Sequence, residues 1–589
     1  MALPNTNSPS QIIKRIRIFY GALVLVVALF GVRLFYVQII RYDHYKKAAL
    51  SDQLKQYEIP ATRGLISVHD GDSTVPIVLN QKLYTLYADP TYVKDPGKAA
   101  EKVASIMGGK PSDYISKLKL KDTRYVVLGK KLNEDQHQKI AALKMPGLGT
   151  IAQDYRTYPQ GQLAAQLLGF VNDDGKGTYG IEQALNKQLA GTPGQLKAIT
   201  DANGVPLAAS DNNIEKPAVT GDNLVLTVDL TLQKQVEQYV AQASQSTHAQ
   251  TVNAVVLDPK SGAVKAMANY PTYDPSQYSK VTDASVFNNG TVTNSIEVGS
   301  IMKTLTTAAA LDQKVISPNT TYYDPGHWKV DGFNITNIEE DGGPGTKSLA
   351  DLLNLSLNTG ATWELMQMGG GDINQKARDN WHNYMVNHYL LGKPTGIEQG
   401  YESSGYVPSP AENGAGIDLT YANTAFGQAM TATPLQMASA LSAVLNGGTY
   451  YQPHLVDSVE SADGKSHPTA AKVLASHVVS PAIGKAMVPL MQFVVDHHFI
   501  VPPFDQSKYI VGGKTGTAQI AKPGGGYYDN EYNGTYLGFV GGDNVQYVIA
   551  VFVVQPHING YAGTAAAQPL FADIAHMLIN NGYVTPKSQ

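Results

Sequence analysis

At 589 residues the chain is long enough for several cores, and 43% hydrophobic with 16% charged residues marks its bulk as globular rather than disordered. A net charge of −4 gives no support to a nucleic-acid partner. The absence of cysteine removes disulfides, thiolate nucleophiles and cysteine metal sites.

Residues 1–17 are polar and carry Lys14, Arg15 and Arg17 with no acid. From Ile18 to Ile40 run about 23 largely apolar residues, counted through Arg33, enough to cross a hydrocarbon core of roughly 30 Å. Arg33 stands near the far end, where its side chain can reach the interface. No Ala-x-Ala site closes the run, which favours an uncleaved anchor over a signal peptide or a buried core helix. The basic leader predicts a cytoplasmic N-terminus, with everything after residue 41 outside the membrane.

Residues 41–220 are of mixed composition and read as a pedestal that holds the next domain off the membrane. Arg63-Gly64-Leu-Ile-Ser-Val and segment 83–90 read as strands, and the lysine-rich stretch 97–145 as a small helical insertion. Nothing in 156–194 pairs a nucleophile with a base. A polar linker over 205–221, with Ser210-Asp-Asn-Asn inside it, precedes a change of composition. In 221–589, Asn223 to Asp229 is a strand, a helix follows from Leu232, and residues 254–267 form a hairpin turning at Asp-Pro-Lys-Ser-Gly. Helices dominate from about 300 to 445. Strands return at Ile510, Tyr536 and Tyr547, and a helix at about 568–580 follows them. Strands bracketing a block of helices predict an α/β (α+β) domain with one mostly antiparallel sheet.

Ser300 follows Gly299 at the start of a helical run, and Lys303 lies three residues later, on the same helical face. A serine hydroxyl needs a base, and a lysine serves as one only in its neutral form. The free N–H groups of a helix start suit a developing oxyanion. Alone the pattern is weak: Ser116-Lys-Leu-Lys119 matches it within a polar, solvated helix. Two later elements give it meaning, Ser356-Leu357-Asn358 at a helix-to-turn junction and Lys514-Thr515-Gly516-Thr517 at the end of an apolar strand. Single matches to these also occur at Ser210, Ser317 and Lys260, in a linker, a turn and a hairpin tip. The ordered, widely spaced combination carries the information.

These residues resemble the penicillin-recognising acyl-serine transferases, and more closely the class B penicillin-binding proteins that crosslink peptidoglycan. The resemblance extends to the anchor, Arg63-Gly64, Arg156-x-Tyr158-Pro159, Gly180-Ile-Glu182, Leu226-Thr-Val-Asp229, Gly427-Gln428, Thr433-Pro434-Leu-Gln436 and Asn446-Gly-Gly. Two places depart from it. Val298 stands where the family has proline, and His497-His498-Phe-Ile-Val-Pro-Pro where it has a Gly-Thr pair. The resemblance implies that Ser300 attacks the penultimate D-Ala carbonyl of a D-Ala-D-Ala stem peptide, with Lys303 as base and Ser356 as proton relay. It implies that Asn358 holds the substrate amide and Lys303, and that Lys514, Thr515, Gly516 and Thr517 form the strand that receives the terminal carboxylate. It places the oxyanion between the backbone N–H groups of Ser300 and Thr517.

No cofactor and no metal are implied. His497 and His498 are adjacent and are expected to diverge on a helix, and the glycine-rich stretch before Tyr527 and Tyr528 reads as a flexible hairpin or a mobile lip. The implied partners are stem peptides, β-lactams, a polytopic membrane glycosyltransferase and the proteins of a divisome or elongasome. A compact pedestal without extra C-terminal modules favours a septal, division-type enzyme over an elongation-type one. Two further readings remain open, a non-catalytic scaffold or penicillin sensor of the same fold, and a β-lactamase.

Overall fold

The computed structural model describes residues 9–46, 54–199, 214–337, 343–411 and 414–588. The chain divides into two compact units, Met1–Thr62 with Gly191–Thr220, and Arg63–Ala190 with Gly221–Gln589.

In the first unit a helix over Pro9–Phe35 continues as a π-helical turn over Tyr36–Ile40. It starts at Pro9, within the polar leader, because residues 11–17 hold no helix breaker and the turns simply propagate backwards. Among the described residues, Ile13–Ile40, with mean hydropathy 2.4, is the one stretch long and apolar enough to cross a membrane. The Arg33 guanidinium lies 5.7 Å from the Tyr36 ring centroid, near the end of that stretch. A three-stranded antiparallel sheet completes the unit, with Gly194–Ile199 between Leu54–Ile59 and Ile214–Lys216. Most of the predicted linker, including Ser210, lies outside the described residues.

The second unit opens on a seven-stranded sheet. Strand Ile66–Asp70 pairs antiparallel with the 16-residue strand Ser73–Ala88 and parallel with Asn223–Asp229. The predicted strand at 83–90 is therefore the end of a longer one. Helices Pro96–Met107, Pro111–Leu118 and Glu134–Ala142 form the lysine-rich region, but Val126–Leu132 is a strand that pairs with Ser73–Ala88. Its Leu128 and Leu132 pack with Leu86, Val103 and Leu118, so burial overrides the helical spacing of the neighbouring lysines.

Beneath this sheet Arg63, Arg156 and Glu182 meet. Glu182 is fully buried. Arg63 Nε donates to Glu182 Oε2 at 2.7 Å, and Arg156 Nε to Glu182 Oε1 at 2.7 Å. Asn186 and Asn80 accept a second donor from each guanidinium, at 2.9 and 2.8 Å. Three short motifs separated in the sequence thus form one buried ion cluster.

The catalytic region is built on ten elements, labelled here in chain order. They are β1 (Thr251–Leu257), β2 (Val264–Tyr270), α1 (Met302–Asp312), α2 (Leu349–Asn354), α3 (Asn358–Gly369), α4 (Pro481–His497), β3 (Ile510–Ala521), β4 (Tyr527–Gly541), β5 (Val545–Val554) and α5 (Gln568–Asn580). The strands form one antiparallel sheet in the order β2-β1-β5-β4-β3. Along β5, Val548, Ala550 and Phe552 face one core, while Ile549, Val551 and Val553 face the other. Both faces of the strand are covered, which explains its unbroken apolar run. The helical block around 300–445 also holds four short strands over Thr321–Ser348, a correction to the expectation of helices alone. They pair locally, Thr321–Asp324 with Gly345–Ser348 and His327–Val330 with Phe333–Thr336.

Candidate active site

Ser300 sits in a 3-10 turn, Gly299–Ile301, that runs directly into α1. Gly299 has φ +62, in the left-handed region, and its N–H donates to the Gly427 carbonyl at 3.0 Å. Gly427 has φ +86, and a Cβ placed on it would stand 2.1 Å from the Gly299 oxygen. On the other side, a Cβ on Gly516 would lie 2.8 Å from the Val298 oxygen and 3.2 Å from the Ile301 nitrogen. Backbone therefore packs directly on backbone around the nucleophile turn. This is how the third motif reaches the first. Thr535 Oγ1 on β4 donates to the Val298 carbonyl at 2.8 Å and anchors the turn from beneath, whatever side chain stands at 298.

Lys303 lies one helical turn along and is fully buried. Its Nζ is 3.0 Å from Ser300 Oγ, 3.2 Å from Ser356 Oγ and 2.8 Å from Asn358 Oδ1, and it also donates to the Ser356 carbonyl. The chemistry of these partners is informative. The Ser356 carbonyl and Asn358 Oδ1 can only accept, and a neutral amine has two N–H donors to give them. Its lone pair is then left for a hydroxyl proton, and Ser300 is in place to supply one. The Phe426 ring centroid lies 6.0 Å from Nζ.

Ser356 occupies the turn between α2 and α3 with φ +58, an uncommon conformation for a residue with a Cβ. Asn358, the first residue of α3, donates from Nδ2 to the Thr336 carbonyl at 3.1 Å. Beside it Thr359 Oγ1 donates to Asp324 Oδ2 at 2.6 Å, and Asn337 Oδ1 accepts from the Thr359 N–H at 3.0 Å. The short strands unforeseen in the sequence are thus the brace for the second motif.

Lys514 is fully buried on β3 and donates to the Thr515 carbonyl at 3.0 Å. Thr515 and Thr517 line a cavity of about 740 Å³ shared with Ser300, Ser356 and Asn358. Lys514 is not among the residues that line this cavity. Thr517 Oγ1 accepts the Gly563 N–H at 3.0 Å. The structure thus joins Ser300, Lys303, Ser356 and Asn358 by direct contacts, and brings Thr515, Gly516 and Thr517 alongside. Ser116 and Lys260, the decoys, are exposed, and Ser317 lies in a turn hydrogen-bonded to Thr320.

His497 and His498 both line the cavity, a correction to the expectation that they diverge. Helix α4 ends between them. His497 is its last residue and His498 is extended, with φ −97 and ψ 146. Gln428, from the Gly427-Gln428 pair, also lines the cavity, as do Gln519, Tyr532 and Tyr561, which carried no signal in the sequence. Tyr527 does not reach it. Its hydroxyl donates to Glu297 Oε1 at 3.0 Å, which ties the glycine-rich hairpin to the segment just before Ser300. Burial pushes the Glu297 carboxyl above its ordinary value. Glu364 on α3 is fully buried behind the site. Burial raises its carboxyl to about 8, against the lowering effects of a hydrogen bond from Thr307 and the charge of Lys303.

A family model described as penicillin binding protein transpeptidase domain matches residues 252–576, and one for the penicillin-binding protein dimerisation domain matches residues 58–226. Penicillin-binding protein PbpB of Mycobacterium tuberculosis is 31% identical over 586 residues, covering 95% of this chain and 84% of that protein. Peptidoglycan D,D-transpeptidase FtsI of Escherichia coli is 25% identical over 587 residues, covering 97% and 92%. The crystal structure of penicillin binding protein 3 from M. tuberculosis, complexed with aztreonam, matches with a TM-score of 0.66 and 26% identity over 90% of this chain and 98% of that one.

Proposed function

The chain belongs to the class B penicillin-binding proteins, which pair a transpeptidase domain with a dimerisation domain, and on that premise we propose that Ser300 is the nucleophile of a peptidoglycan D,D-transpeptidase of cell-wall synthesis. The observation that carries the assignment is the position of Lys303 Nζ, in contact at once with Ser300 Oγ, Ser356 Oγ and Asn358 Oδ1.

Neutral Lys303 takes the Ser300 proton as Oγ bonds to the carbonyl carbon of the penultimate D-Ala. The backbone N–H groups of Ser300 and Thr517 receive the oxyanion. The C–N bond to the terminal D-Ala breaks, and the departing amine takes a proton relayed by Ser356, resupplied from Lys303 or Lys514. The amine of a second stem peptide then attacks the ester, releases Ser300 and forms the crosslink. Asn358 holds the substrate amide. Thr515 and Thr517 receive the terminal carboxylate through their hydroxyls, the charge of buried Lys514 on the same strand draws it there, and Gly516 keeps β3 close enough to serve the same pocket. A β-lactam enters by the same attack, but its leaving nitrogen stays tethered, so the acyl-enzyme persists.

Labelled penicillin is expected to bind covalently, and Ser300→Ala to abolish the label. Label that survives this change sinks the assignment. Crosslinking of a cell-wall substrate separates an enzyme from a scaffold, and rapid β-lactam turnover would instead favour a β-lactamase.

The apolar helix anchors the protein in the membrane. The basic residues Lys14, Arg15 and Arg17 support a cytoplasmic N-terminus. A chain without cysteine allows a direct check, since single cysteines introduced at residue 7 and residue 45 should react with an impermeant thiol reagent from opposite sides. The similarity to FtsI supports a septal role, with a polytopic glycosyltransferase as partner through the anchor and the residues just outside it. Localisation of a fluorescent fusion away from the septum of dividing cells would reject that role.

A further inference from the structure

His498 follows α4 and faces two oxygens across the catalytic cavity. Its Nδ1 lies 3.3 Å from Gln568 Oε1, and its Nε2 lies 3.3 Å from the Asn354 carbonyl oxygen. Asn354 ends α2, two residues before Ser356, while Gln568 begins α5. The Gln568 amide has a fixed sense, because its Nε2 donates to the Phe499 carbonyl at 3.0 Å. Both atoms that His498 faces are therefore acceptors. A neutral imidazole has one N–H and satisfies one of them, whereas an imidazolium satisfies both.

Asn354 and Gln568 carry no charge. The charged or titratable groups around the ring are Lys514 on β3 and His497 on its own helix. Burial first, then the charge of Lys514, hold the imidazole below its ordinary value, against the raising effect of the two hydrogen bonds.

We propose that His498 is a positioning residue for Ser356, its ring tying the Asn354 carbonyl, and with it the turn that carries Ser356, to the start of α5. The inference rests on the acyl-serine reading above. The tie has two strengths. The neutral ring makes one hydrogen bond and leaves a lone pair facing an oxygen. Protonation makes both bonds and opposes Lys514. An anionic substrate group drawn to Lys514 relieves that opposition, so the second bond forms when the carboxylate is seated.

The test compares the rate constant for covalent labelling by a fluorescent penicillin in the full-length, detergent-solubilised protein, as wild type, His498→Gln and His498→Ala. Glutamine keeps an N–H donor within reach of Asn354 and does not titrate. The ratio of wild-type to His498→Gln rate constants is expected to stay near one at alkaline pH and to rise several-fold as pH falls below the ordinary imidazole value, where the ring held down by burial and Lys514 protonates. Taking the ratio cancels the titration of Lys303. His498→Ala is expected to slow acylation about tenfold with unchanged affinity for the non-covalent complex, the mark of a misplaced group rather than a lost contact. A flat ratio, with His498→Ala labelling at the wild-type rate, overturns the proposal and leaves the acyl-serine reading intact. So does a loss in His498→Ala that tracks its melting temperature and leaves the pH profile unchanged. A wild type that does not label at all overturns both.

Discussion

Two buried polar clusters in this molecule invite comparison. Around Glu182, two guanidiniums and one carboxylate meet at hydrogen-bond distance, with asparagine oxygens taking further donors. Around Lys303, the described hydrogen bonds run to two hydroxyls, a carbonyl and an amide oxygen, all neutral. Both clusters are assembled from motifs far apart in the chain. The first sets two guanidiniums against one shared carboxylate, and these ion pairs hold its three side chains in place. The second leaves an amine among groups that serve its neutral form as well as its charged one, and places a nucleophilic hydroxyl beside it. Compensation separates a brace from a reactive centre here, more than burial does.

The sharpest way to break this comparison is at Lys303. Lys303→Ala is expected to reduce penicillin labelling by about 10³-fold, within the usual range for a lost general base, with the protein still folded. Lys303→Arg should not rescue it, because a guanidinium does not give up its proton. A charge-only role for Lys303 would be indicated if arginine restored labelling.

Glu182→Gln should behave in the opposite way. Removing one charge leaves two buried guanidiniums uncompensated, at a cost of about 3–5 kcal/mol in unfolding free energy. Labelling per folded molecule should be retained. Chemical denaturation and a labelling assay on the same sample read both quantities, and a loss of labelling without a loss of stability would contradict the division of roles.

Thr359→Val tests the brace between the two extremes. It removes the donor to Asp324 Oδ2 while keeping the side chain's shape, and about 1–3 kcal/mol of stability should go with it. Labelling should slow by a few-fold, since Asn358 is then less firmly placed.

The smallest effect is a slope. Glu364 has a carboxyl raised by burial from its ordinary 4.5 to about 8. The folded state therefore binds more protons than the unfolded one between those values, and the group's stabilising contribution falls as pH rises through that window. Glu364→Gln should flatten the fall, with a higher melting temperature than wild type at pH near 8 and no such gain at pH near 4. Parallel curves for the two proteins would show that Glu364 is ionised when folded.

Much of this was legible in the sequence where the signal is local. The hairpin of β1 and β2, the strands β3 to β5 and the helix α5 follow from periodicity and turn residues. The three motifs were visible as a combination, and in the fold Ser300, Ser356, Asn358, Thr515 and Thr517 line one cavity. What escaped detection depends on long-range packing. Val126–Leu132 is a strand because a sheet edge and a leucine core receive it. The strands over Thr321–Ser348 are only four residues each and close on one another, too short for alternation to stand out. The cavity positions of His497, Tyr532 and Tyr561 depend on where a helix ends and how a hairpin bends. The meeting of Arg63, Arg156 and Glu182 was present only as three unconnected motifs.

The backbone-to-backbone seam around Gly299, Gly427 and Gly516 has a consequence for drug pressure. A Cβ would overlap main-chain oxygens at Gly427 and Gly516 and would be strained by the left-handed backbone at Gly299, so the floor of the pocket has little room to change. Selection for escape from β-lactams would then fall on other positions of the cavity wall, such as Gln519, Tyr532 and Thr564. An inhibitor whose grip is confined to the floor would leave the bacterium few single-step exits.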